Sequence, residues 1–84
     1  MLNVNVKLYG NFRNILKKDS ISMRVSNIED VISKLKNLSN KETTKFLTKN
    51  TFFIVIDGEV ITNFKDYKLK ENTTLHIFPI IGGG

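Results

Sequence analysis

Cysteine is absent from this chain, proline and histidine occur once each, and arginine only twice, at Arg13 and Arg24. Without cysteine there is no disulfide framework, no thiolate nucleophile and no cysteine-ligated metal. The single histidine, His76, cannot assemble a metal cluster without carboxylates, and none crowds it in sequence. It reads as a sheet-surface residue between Leu75 and Ile77. The longest unbroken apolar run, Phe52 to Ile56, is five residues. A membrane-spanning helix needs about 20. Met1-Leu2-Asn3 passes into alternating sequence without a signal-peptide pattern, so the expectation is a soluble, cytoplasmic protein. Paired carboxylates, a P-loop and a dinucleotide fingerprint are also missing. Asp57, before Gly58, is turn chemistry rather than a general base.

What is present suits one small domain. Eighty-four residues, 40% of them apolar, can bury a modest core but have little room for a large enclosed active site. The net charge is +5. Its lysines are scattered from Lys7 to Lys70, which describes a solvated surface better than a nucleic-acid footprint.

Residues 3 to 9 alternate, with Leu2, Val4, Val6 and Leu8 on one side and Asn3, Asn5, Lys7 and Tyr9 on the other. That is the period of a half-buried strand. Gly10-Asn11 turns the chain. Phe12, Ile15 and Leu16 can seat a short helical turn on a core. Ile21, Met23 and Val25 alternate again, giving a second strand that is a candidate antiparallel partner of the first.

Ser26 or Asn27 can cap a helix, and either choice places an acid, Glu29 or Asp30, three residues into it. Ile28, Val31, Ile32, Leu35 and Leu38 then mark one apolar face over residues 27–38. The polar stretch 39–50 carries Phe46 and Leu47, which could anchor a further helical turn. Thr51 to Ile56 is almost wholly apolar, and a central strand covered on both faces or nearly so is expected. Asp57-Gly58 is a hairpin turn, leading into a brief Glu59–Ile61 strand. Phe64, Tyr67 and Leu69 are anchors in a looser stretch, Glu71-Asn72 turns the chain, and Thr73–Phe78 is the last strand. Strand, strand, helix, strand, short strand, strand predicts an α+β fold: a small mixed sheet with one main helix across its face. If the first and last strands were parallel neighbours, the C-terminal residues would emerge beyond one sheet edge.

Those residues are Phe78-Pro79-Ile80-Ile81-Gly82-Gly83-Gly84. Glycines pack nothing and weaken a strand, and a phosphate-cradling loop would feed a helix N-terminus. The remaining group of chemical interest is the Gly84 carboxylate. It is unreactive when free, electrophilic as an acyl-adenylate, and a sulfur nucleophile as a thiocarboxylate. Gly83 and Gly84, lacking Cβ atoms, could enter a narrow catalytic channel. Phe52, Phe53, Phe64 and Phe78 read as core or interface.

In these features the chain resembles the MoaD/ThiS type of ubiquitin-like β-grasp sulfur carriers, and among them the molybdopterin synthase small subunit. The resemblance covers the opening strand, Phe12-Arg13 after Gly10, the Ile28–Leu38 helix, Asp57-Gly58 and the terminus. That family typically ends in aromatic-Pro-Pro-Val-Ala-Gly-Gly. Here Pro79 matches the first proline, Ile80 replaces the second, Ile81 matches the valine, Gly82 replaces alanine, and Gly83-Gly84 match the diglycine.

The resemblance implies a β-grasp domain over residues 1–81 with a flexible glycine tail at 82–84. It implies a chain not catalytic alone, whose Gly84, with Gly83, is the reacting end. An adenylating partner would use ATP and magnesium, this chain binding no cofactor or metal itself. The molybdopterin synthase large subunit would be the second partner. Phe78, Pro79, Ile80, Ile81 and Gly82 would form the strip that meets partners, joined by Phe52 and Ile54 or by Phe53 and Val55. No nucleic acid or membrane is expected. A thiamine-pathway carrier, a ubiquitin-like protein modifier and a phage tail-assembly interaction module share this resemblance.

Overall fold

The computed structural model describes residues 1–38 and 52–80. In chain order its elements are β1 (Leu2–Leu8), α1 (Asn11–Leu16), β2 (Ser20–Val25), α2 (Ile28–Leu38), β3 (Phe52–Ile56), β4 (Glu59–Ile61) and β5 (Thr73–Pro79). The strands form one sheet in the order β2-β1-β5-β3-β4. β1 runs parallel to β5 and every other neighbour is antiparallel. The sheet is therefore mixed, and the last strand in sequence is its middle strand.

The alternation in β1 becomes burial: Val4, Val6 and Leu8 are buried, while Asn3 and Lys7 are exposed. Antiparallel register with β2 pairs Val4 with Met23 and Val6 with Ile21, so the apolar sets of both strands share one face. Parallel register with β5 sets Val6 beside Leu75 and Leu8 beside Ile77. Asn72, at φ 63, turns the chain into β5, and its N–H donates to the Asn3 carbonyl at 2.8 Å. The Asn3 N–H donates to Glu71 Oε1 at 2.7 Å.

α2 covers this face with Ile28, Val31 and Leu35, all fully buried. Of the two candidate caps, Asn27 serves. Its Oδ1 accepts the Asp30 N–H at 2.8 Å, and Asp30 Oδ2 accepts the Ser26 N–H at 3.1 Å, reciprocal bonding in the manner of a capping box. Lys34 Nζ reaches the Arg24 carbonyl and ties α2 to β2. Phe12 of α1 is fully buried and meets Phe52 edge-on at 6.4 Å between ring centroids. Phe64 and Tyr67 are half-buried against the core, and Leu69 is buried within it. Asp57 and Gly58, at φ 53 and 81, make the tight β3–β4 turn, both in the positive-φ region that a two-residue hairpin of this twist requires.

Two expectations are corrected. β3 is fully covered on one face only: Phe52, Ile54 and Ile56 are buried, whereas Phe53 and Val55 are half-buried on the other. α2 packs on one face of the sheet, and among the described residues nothing equivalent packs on the other. Leu38 does not join the packed stripe of α2; it is 58% exposed in the last turn. The turn expected around Phe46 and Leu47 lies outside the described residues.

The contrast within α2 is measurable. Leu35→Ala removes a side chain with no solvent exposure and should cost about 2–5 kcal/mol. Leu38→Ala should cost about 0.5 kcal/mol or less. Urea denaturation of the two variants checks the assignment, and similar losses for both would contradict it.

Candidate functional site

The sheet face opposite α2 has two halves, set by register. Across β2, β1 and β5 the rows Arg24–Asn3, Ser22–Asn5–Thr74 and Ser20–Lys7–His76 fall on it. Across β5, β3 and β4 come the Phe78–Phe53 pair and the His76–Val55–Val60 row. One half is polar and basic; around Asn3, Asn5, Ser22, Arg24, Asn72 and Thr74 it is hollowed into a shallow open depression. The other half is apolar and aromatic, and lies where β5 ends. Lys7 and Arg24 are the charged residues at the positions just named.

The aromatic half is a stack. Phe53 lies over Phe78 with ring centroids 5.2 Å apart and planes 15° from parallel. Phe78 in turn lies under Tyr9 at 4.3 Å and 13°. The Tyr9 hydroxyl is 2.8 Å from His76 Nδ1, which gives both half-buried polar tips a partner. Val55 and Val60 extend the patch towards the β4 edge, where Val60 is 56% exposed. Stacked aromatics left half-open to solvent bury large area when covered and suit the centre of a protein interface.

Between the two faces, β5 delivers the chain outwards. Ile77 is buried, Phe78 and Pro79 are half-buried, and Ile80 is 53% exposed. Pro79 has no N–H to continue a ladder, so the strand ends there. Of the expected site residues, Phe78, Pro79 and Ile80 thus follow one another out of the sheet. Ile81, Gly82, Gly83 and Gly84 lie outside the described residues. The choice left open for the adjoining surface is resolved: Phe53 and Val55 face outwards with Phe78, whereas Phe52 and Ile54 belong to the core.

Sequence reasoning placed His76 on the sheet surface, where it is found. It missed Tyr9 and Gly10. Tyr9 is in phase with Lys7 on the open face, and the parallel register sets Lys7 beside His76. That phase, combined with a parallel β1–β5 pairing, was the available signal. For Gly10 there was none, because its contact with Pro79 is tertiary. Among the described residues no three of His, Asp and Glu gather into a metal-binding group, and no helix is long and apolar enough to cross a membrane.

A five-stranded mixed sheet with parallel β1 and β5 at its heart and one main helix across a face is the ubiquitin-like β-grasp fold. The chain belongs to the ThiS family, whose model matches residues 6–84, and so to the β-grasp sulfur-carrier superfamily. Among solved structures it is similar to small archaeal modifier protein 1 of Methanosarcina acetivorans, with a TM-score of 0.80 and 21% identity over 100% of this chain and 98% of that one. It is also similar to a putative molybdopterin converting factor subunit 1 of Pyrococcus furiosus, at 0.74 and 20% over 96% and 100%. A complex of subunits 1 and 2 of the molybdopterin-converting factor of Helicobacter pylori contains another similar chain, at 0.71 and 16% over 99% and 100%. At these identities the likeness establishes the fold. Comparison with curated proteins gives no match.

Tyr9→Phe keeps the ring over Phe78 but removes the hydroxyl facing His76. It should lower stability by about 0.5–1.5 kcal/mol, the net worth of one such hydrogen bond. Thermal denaturation at neutral pH reads it; unchanged stability would mean that the hydroxyl is equally well served by water.

Proposed function

We propose that the protein is a carrier whose reacting group is the carboxylate of Gly84. A carboxylate oxygen attacks the α-phosphorus of ATP in an adenylating partner and pyrophosphate leaves. Hydrosulfide then attacks the acyl carbon, AMP departs with the bonding pair, and a thiocarboxylate results. No oxidant or reductant is consumed. The bond-making side chains belong to partners, so this chain acts as co-substrate. Gly83, with Gly84, threads the partner's channel.

One observation carries the reading: the ThiS family match extends through Gly82-Gly83-Gly84, the stretch towards which β5 directs the chain past Pro79 and Ile80. The partner-facing surface would run from Phe53, Val55 and Phe78 through Pro79 and Ile80 to Ile81 and Gly82. Similar chains are described in complexes, the Helicobacter pylori pair above and a BexX/CysO complex of Amycolatopsis orientalis, and this supports a partner-binding role.

The branch is read broadly. A molybdopterin synthase small subunit, docking a large subunit, fits the Pyrococcus likeness. The ThiS match fits a thiamine-pathway carrier. The modifier proteins of Methanosarcina acetivorans and Haloferax volcanii favour a second outcome for the same acyl-adenylate, attack by a lysine amine to give an isopeptide. Together these favour a ThiS-like carrier or protein modifier over an exclusive molybdopterin role.

Incubation with the cognate adenylating enzyme, ATP and sulfide should raise the intact mass by about 16 Da, one oxygen replaced by sulfur. An unchanged mass with an enzyme that activates its own known carrier would overturn the reading. Deleting Gly84, or extending the chain past it, should abolish the shift while leaving the melting temperature within about 2 °C, because glycine adds almost nothing to a core. Ile81→Asp should weaken partner binding by about tenfold or more, roughly the 1–2 kcal/mol of one desolvated apolar contact. Equal binding by calorimetry would remove Ile81 from the docking strip.

A further inference from the structure

Tyr9 and Gly10 have no part in the acyl chemistry proposed above, yet they meet the last three residues of β5 in succession. The Tyr9 N–H donates to the Ile77 carbonyl at 3.2 Å. The Tyr9 ring stacks on Phe78. Gly10 lies against Pro79 so closely that a Cβ there would fall 2.7 Å from the proline Cγ and 3.2 Å from its Cδ.

This corner is rooted independently of β5. Gly10 sits at φ 57 and ψ −133, a conformation nearly reserved for glycine. Its carbonyl accepts the Arg13 N–H at 3.2 Å, so α1 begins directly from it. Phe12, two residues on, is fully buried. A turn of this shape explains why residue 10 is glycine. It does not explain why the space a Cβ would fill holds the ring of the chain's single proline. Proline has a fixed φ and no N–H, so the course of the chain beyond residue 79 depends on where that ring rests.

We infer that the Tyr9-Gly10 corner is a positioning element for the C-terminal segment. By seating Pro79 it fixes the direction in which the chain leaves the sheet, and through that the approach of Gly84 to a partner's site. The inference rests on the reading of Gly84 as the reacting end. Neither residue touches the reacting atoms; both act through Ile77, Phe78 and Pro79.

The test compares the wild-type chain with Gly10→Ala, Pro79→Ala, the double variant and Tyr9→Leu. Carrier-dependent pyrophosphate release by the cognate adenylating enzyme gives KM and kcat; NMR gives Phe78 proton shifts and amide exchange. Gly10→Ala should disturb the upfield ring-current shift of Phe78 and speed Tyr9 amide exchange about tenfold or more, with Val6 and Leu75 unaffected, as in a local opening. Its KM should rise about tenfold or more, with kcat at saturation within about twofold, as expected when approach rather than chemistry is impaired. Removing the proline ring in the double variant should bring KM back to that of Pro79→Ala alone. Should Gly10→Ala fail to fold, Tyr9→Leu, altered only on the open face, should show the same KM rise.

Wild-type shifts, exchange and KM in Gly10→Ala would overturn the inference. So would a KM defect that the double variant retains in full, since the effect would then come from the residue 10 backbone and not through Pro79. If the wild-type chain itself is not activated, the reading of Gly84 fails, and Phe78 shifts and Tyr9 exchange alone decide whether the corner holds Pro79.

Discussion

The parallel pairing of β1 with β5 is the constraint on which the rest depends. It joins residues about seventy apart in sequence, Val4 with Thr73 and Leu8 with Ile77, and it puts the last strand in the middle of the sheet. Leu75 and Ile77 are consequently fully buried, held between β1 and β3 and beneath α2. A terminal strand at a sheet edge could peel away at small cost. One at the centre is held from both sides: Thr73, Thr74 and Leu75 pair with β1, Phe78 and Pro79 with β3, and His76 and Ile77 with both. Pro79, where the chain leaves the sheet, is therefore continuous with its central strand.

That arrangement also explains which parts were legible in the sequence. Strand β1 and helix α2 could be read directly, since apolar residues at period two and at three-to-four spacing mean burial on one face. β3 misled because Phe53 and Val55 are of the same chemical type as Phe52 and Ile54. Apolarity cannot distinguish a side chain covered by its own core from one left open on the far face. Leu38 misled for a related reason. It continues the spacing of α2 but lies at the flank of the stripe, about 60° from its centre at 100° per residue, and in the last turn. Gly10 and Tyr9 were illegible as functional positions, because their significance depends on Pro79 and Phe78, at the other end of the chain.

The open face itself is unusual for a small domain. Its aromatic half has three rings in offset stack beside two valines, and its other half carries Lys7 and Arg24 among amides and hydroxyls. Such rings add little to the monomer's core, which is complete on the α2 side without them. The Lys7 and Arg24 positions of the polar half would favour encounter with an acidic surface at low salt. The aromatic half lies beside the exit of β5 and the polar half towards its start, so a partner covering the aromatic half would meet the departing chain.

The carrier role proposed above asks this chain to present a carboxylate rather than to catalyse. Adenylation and sulfur transfer at a terminal carbonyl need positioned partners more than local side chains. Fixing one backbone residue in a single conformation costs about 1–2 kcal/mol. Every residue already held before the encounter lowers the entropy lost on entering a partner's site, which is the general advantage of preorganisation. Ile77 is held by hydrogen bonding, Phe78 by stacking and Pro79 by its own ring against Gly10. These contacts reach to within five residues of Gly84, and on the proposed reading glycine is used in opposite senses at two places. At residue 10 it lets another ring approach and fixes a direction. At residues 82 to 84 it would leave the chain narrow enough for a channel that larger side chains would block.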